Sequence, residues 1–171
     1  WVKRGERERL VRARSRFAFL FAFMAVVSVP GMGAADTLSQ IIPMAQKIGE
    51  ARFKILLFKI YDAELFAPEG RLDRNGPYAL RLTYLVNARK DRIISSTVNE
   101  MKRQKTASDE VIEAWVPLME DAVISMDKDS RADFIHTGDG RLLLTANGDL
   151  ISEIDDADFI AALMDVWLGP K

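Results

Sequence analysis

Between Phe53 and Ala67 the chain alternates so that neither side is polar. Phe53, Ile55, Leu57, Lys59, Tyr61, Ala63, Leu65 and Ala67 fall on one face, and Lys54, Leu56, Phe58, Ile60, Asp62, Glu64 and Phe66 on the other. Successive strand side chains point to opposite faces, so a segment apolar on both predicts one long central strand covered above and below. The preceding stretch, Asp36 to Ile48, has Ile41, Ile42, Ala45 and Ile48 at helical spacing but Pro43 among them, and reads as an irregular or short strand-like entry. After the long strand, Pro68-Glu69-Gly70 and Asn75-Gly76-Pro77 punctuate a connection. Tyr78 to Val86 then alternates again, as an amphipathic strand paired with the first.

The period then changes. Ile93, Ile94, Val98 and Met101 recur at helical spacing and predict a helix over 91–104. Ser108, followed by Asp109 and Glu110, has the chemistry of an N-cap for a second helix carrying Val111, Ile112, Trp115, Leu118, Met119, Ala122 and Val123. Pro117 predicts a kink or a split, because it lacks an amide donor and clashes with the preceding turn. Three short strands follow: Arg131 to Thr137, Arg141 to Ala146 and Asp149 to Glu153, joined by Gly138-Asp139-Gly140 and Asn147-Gly148. Asn-Gly between alternating runs marks a type I′ hairpin, whose two central residues need positive φ. Asp155 or Asp156 caps a last helix with Phe159, Ala162, Leu163, Val166 and Trp167 on one stripe, ended by Gly169 and Pro170. The layout is α+β: a mainly antiparallel sheet with helices on one face.

Charge changes this picture at the N-terminus. Lys3, Arg4, Arg7, Arg9, Arg12, Arg14 and Arg16 precede the apolar segment Phe17 to Val29, then Pro30, Gly31 and the small residues Gly33, Ala34 and Ala35. That order predicts a secretory signal over 1–35, cleaved after Ala35, ahead of one domain over 36–171. Thirteen apolar residues span roughly 20 Å as a helix, short of a hydrocarbon core of roughly 30 Å. A periplasmic or secreted protein without a stable membrane span is expected. Seven of the 24 basic but only two of the 25 acidic residues precede Asp36, leaving 17 basic against 23 acidic side chains and a net charge near −6. Such a domain is a poor nucleic-acid ligand, since duplex affinity comes from clustered Lys and Arg. The absence of cysteine excludes disulfides, zinc-thiolate sites and a cysteine nucleophile.

Few residues are left for chemistry. His136, the only histidine, reads as a polar residue near a strand end, and one histidine does not make a two-histidine metal site. Asp155, Asp156 and Asp158 lack the alternating ligands of a calcium loop and read as helix capping. No metal, cofactor or catalytic residue is expected. Arg52 stands out, at the entrance of the most apolar strand. Pointing into the sheet, its guanidinium needs Glu64, Asp62 or a ligand anion as partner; pointing outward, its stem lies along the surface. Tyr61 and Tyr84, on neighbouring strands, can offer hydroxyl donors to the same group.

Gly49-x-x-Arg52, Phe58-Lys59-Ile60-Tyr61-Asp62-Ala63-x-Leu65-Phe66, Leu80-x-Leu82-x-Tyr84, the Trp115 helix, the Asn147-Gly148 hairpin and Phe159 to Val166-Trp167-Leu168-Gly169 together resemble the bacterial chalcone isomerase-like family. The resemblance covers about 37–170. It implies an open-faced β-sandwich with a ligand cleft between sheet and helices. Chalcone isomerases of this kind cyclise a chalcone with an arginine, a threonine, a tyrosine and an asparagine. The arginine is similar to Arg52, the threonine position falls on Tyr61, and the other two fall near Ile94 and Met101, with Thr97 and Asn99 close by in sequence. Non-catalytic relatives bind fatty acids through the arginine. The resemblance therefore implies a small amphipathic or carboxylate ligand held by Arg52, which Tyr61 or Tyr84 would assist as hydroxyl donors. The alternatives are an isomerase or lyase, and a structural module whose Arg52 bridges to Glu64 or Asp62.

Overall fold

The computed structural model describes residues 37–55 and 57–169, so the segment read as a secretory signal lies outside the described residues. Six strands form one antiparallel sheet in chain order: β1 (Ala45–Ile55), β2 (Phe58–Pro68), β3 (Pro77–Tyr84), β4 (Arg131–Thr137), β5 (Leu142–Ala146) and β6 (Asp149–Ile154). A short helix α1 (Thr37–Ile41) precedes them. Helices α2 (Lys90–Gln104), α3 (Asp109–Ala114) and α4 (Val116–Ala122) separate β3 from β4, and α5 (Ala157–Leu168) closes the chain. The α+β class and the helix-covered antiparallel sheet agree with the sequence pattern.

The expected long strand is instead a hairpin. The alternation from Phe53 to Ala67 contains no Gly, Pro or Asn, yet the chain reverses between Ile55 and Phe58, which pair with each other. β1 starts at Ala45, inside the stretch expected to be irregular, and lies at the sheet edge rather than its centre. β1 needs no cover on both faces, and its residues 50–55 are exposed.

Local chemistry places the remaining elements. Ser108 accepts a hydrogen bond from the Val111 amide and Asp156 one from the Phe159 amide, capping α3 and α5. Pro117 sits in the first turn of α4, where its missing donor costs nothing, so the helix splits at Trp115. Asn147 and Gly148 take φ of 52° and 99° between β5 and β6, as a type I′ turn requires.

The sheet's two faces differ. Tyr61, Ala63, Leu65 and Ala67 of β2, Tyr78, Leu80, Leu82 and Tyr84 of β3, and Ala132 and Phe134 of β4 pack with Ile94, Met101, Ile112, Met119, Phe159 and Leu163 of the helices. The other face holds a small cluster under α1, Leu38 and Ile42 with Ala79 and Ile135. Its remaining part is polar: Asp133, 1% exposed, accepts from Arg81 Nε at 2.7 Å, and Arg81 also lies 5.2 Å from the Phe66 ring centre. Among the described residues no helix is long and apolar enough to cross a membrane.

Candidate ligand-binding site

Register decides where the expected site residues go. Arg52 pairs with Asp62, one step from the Phe53–Tyr61 pair, so these two pairs lie on opposite faces of the hairpin. Arg52 donates from Nε and Nη2 to the two carboxylate oxygens of Asp62 at 2.5 and 2.7 Å, which raises the arginine pKa and lowers that of the carboxylate. This fork occupies the guanidinium in the geometry a ligand carboxylate would use. A depression of about 490 Å³ lies beside it, lined by Glu50, Ala51, Asp62, Ala63, Glu64 and Thr83. Lys47 bridges Glu50 and Glu64 at 2.7 and 3.2 Å. With three carboxylates around it, this is not a natural seat for an anion.

Tyr61 and Tyr84, by contrast, are direct cross-strand neighbours on the helix-covered face, with ring centres 6.1 Å apart. The structure thus brings the two tyrosines together and leaves Arg52 on the other side of the sheet. Tyr61 accepts a hydrogen bond from Trp167 Nε1 at 2.9 Å and stacks on Phe53 at 5.0 Å. Trp167 in turn lies 5.4 Å from Phe134. Because Tyr61 accepts from the indole, its own O–H remains able to donate. Burial pushes both phenols up, Tyr84 to about 12, so both are neutral donors across the physiological range.

Beyond Tyr61 the helices no longer cover the sheet. Phe53 is 44% exposed, Ile55 51% and Phe58 70%. Ile55 shares the face of Phe53, two residues along β1, and Phe58 is its cross-strand partner. The result is a continuous apolar strip, Phe58, Ile55 and Phe53, leading to the half-buried pair Tyr61 and Trp167. Glu100 of α2 lies close enough to Tyr61 to raise its pKa further, while hydrogen bonds from Arg103 and Gln104 hold Glu100 at about 2. Phe53 and Trp167, which the sequence pattern assigned to a central strand and to a helix stripe, are residues that contact Tyr61 here.

The α2 positions where the family's tyrosine and asparagine would fall carry apolar groups packed in the core, Ile94 and Met101. Thr97 donates to the Ile93 carbonyl of its own helix, and Asn99 lines a groove of about 290 Å³ with Ile94, Val98, Val116 and Glu120. His136 is buried, stacked on Tyr78 at 5.0 Å, and donates from Nδ1 to the Gly76 carbonyl at 2.8 Å, a structural use. Among the described residues no group of three or more His, Asp or Glu is arranged to hold a metal ion.

Comparison with known proteins agrees with this fold. A search of curated proteins finds no match. Among solved structures the chain is similar to a fatty-acid binding protein of Arabidopsis thaliana, at 15% identity and a TM-score of 0.54, over 75% of this chain and 82% of that one. The model of the chalcone isomerase-like family matches residues 49–171. The chain belongs to the chalcone isomerase-like family.

Proposed function

We propose that this protein is an exported binder of a small amphipathic ligand, such as a fatty acid, and that it does not transform what it binds. The observation that carries the reading is the apolar strip from Phe58 to Phe53, which ends at the hydroxyl of Tyr61 and the ring of Trp167. An acyl chain lies along the strip, and its polar head meets the Tyr61 O–H as a neutral donor. The fatty-acid binding protein of the same fold supports the ligand class. The apolar groups at Ile94 and Met101 support a non-catalytic role, because neither donates or removes a proton.

The test is titration with oleate, followed by tryptophan fluorescence and native mass spectrometry. Saturable one-to-one binding is expected, lost in Phe53→Ser and kept in Arg52→Ala. Loss of binding in Arg52→Ala with Phe53→Ser unaffected would sink this assignment, as would acceleration of chalcone cyclisation in a direct absorbance assay. The ion pair of Arg52 with Asp62 favours a second reading, a structural module without ligand. Absence of any saturable oleate binding selects it.

A further inference from the structure

The β1–β2 hairpin has an unusual end. Leu57 is 93% exposed, and with Phe53, Ile55 and Phe58 it supplies half of the large exposed hydrophobics among the described residues. No turn-forming residue explains the reversal: the sequence between Ile55 and Phe58 is Leu56-Leu57, where the β5–β6 hairpin has Asn147-Gly148. Directly behind the apolar end, Lys54 and Lys59 are cross-strand partners, both exposed. Like charges placed opposite each other on a hairpin are destabilising in water. Residues 51–61 contain Arg52, Lys54 and Lys59 and no carboxylate, in a domain that is otherwise acidic. A leucine at a turn and facing lysines each break a local rule, and such breaks concentrate where a surface is used.

We infer that this hairpin end docks onto an anionic lipid bilayer. Leu57 and its apolar neighbours enter the interface while Lys54 and Lys59 meet the headgroups. The order along the hairpin fits a bilayer: apolar residues at the tip, then a cationic pair, then the folded body. Long lysine stems keep their charges at headgroup level while the chain beyond is buried, and each cation near an anionic surface adds attraction that salt screens. A protein partner fits less well, because a standard interface buries about 800 Å² per side and the four exposed apolar side chains described at this hairpin end present less. The inference goes beyond the ligand reading and stands without it.

The chain has no cysteine, so Leu57→Cys in the full chain accepts one environment-sensitive fluorophore. With vesicles of phosphatidylcholine and phosphatidylglycerol the label is expected to shift to the blue and to be quenched by nitroxide-bearing lipid. A label at Asp121→Cys, exposed on α4, stays aqueous. Binding falls at least tenfold in Lys54→Glu/Lys59→Glu or on phosphatidylcholine alone. A Leu57 label that stays aqueous with anionic vesicles overturns the proposal. So does a label already shielded without lipid, whether by a second copy, seen as dependence on protein concentration, or by the chain's own residues 1–36. Oleate binding is scored separately, so loss of one activity does not mask the other.

Discussion

Trp167 donates from its indole nitrogen to the hydroxyl of Tyr61, tying the end of α5 to the second strand of the sheet. Removing the acceptor leaves a part-buried N–H without its protein partner. Tyr61→Phe is therefore expected to cost about 1–2 kcal/mol, read as a lower urea midpoint with an unchanged slope. A variant as stable as the parent would mean that the indole finds water instead.

Asp133 is the anchor of the polar face. It is 1% exposed, it accepts from Arg81, itself only 11% exposed, and Arg131 lies 3.7 Å away. Asp133→Ala strands cationic charge against the sheet and is expected to cost about 3–5 kcal/mol in equilibrium unfolding. The Arg52 pair with Asp62 is the contrasting case. It is exposed, so Arg52→Ala should leave the melting temperature near that of the parent.

All three tyrosines have their pKa raised, in each case mainly by burial, with Tyr84 reaching about 12. The folded state keeps these protons above the pH at which the unfolded chain, near pH 10, gives them up. The stabilising contribution is complete below pH 10 and is lost as pH rises from 10 towards 12. Ultraviolet titration should show little tyrosinate near pH 10, followed by release of all three in one cooperative alkaline transition. One tyrosine titrating normally in the folded protein would contradict the packing described.

Gly138 and Gly140 flank Asp139 in the turn before β5, with φ of 86° and 92°. A Cβ at Gly138 meets Pro77 at 3.0 Å, whereas one at Gly140 meets nothing within 4 Å. Both alanine variants carry the strain of positive φ, about 1 kcal/mol each, and Gly138→Ala adds a collision. Thermal melts should rank Gly138→Ala clearly below Gly140→Ala.

What was legible in the sequence is what local chemistry settles. Ser108, Asp156, Pro117 and Asn147-Gly148 mark their caps, split and turn because each acts on backbone groups a few residues away. The reversal between Ile55 and Phe58 was hidden, since two leucines carry no turn signal and the alternation runs on through them. Arg52 was placed with the tyrosines for the same reason. Face assignment depends on register, and a one-residue change sends a side chain to the other side of the sheet. Tyr61 and Tyr84 were correctly read as residues of neighbouring strands. Trp167 read as part of a helix stripe, though an indole packed against a core usually takes an acceptor for its N–H, and that need was the available signal.

The sheet order has a consequence for how the chain folds. Every strand pairs with its neighbour in sequence, so β1–β3 and β4–β6 can each zip through short-range contacts. Only the β3–β4 seam must wait for a long loop, residues 85–130, to close around α2, α3 and α4. Closing a loop of that length adds an entropic cost that the locally paired strands do not bear. Arg81 and Asp133 face each other across that seam, so the ion pair that anchors the polar face also fastens the joint between the two locally paired halves of the sheet.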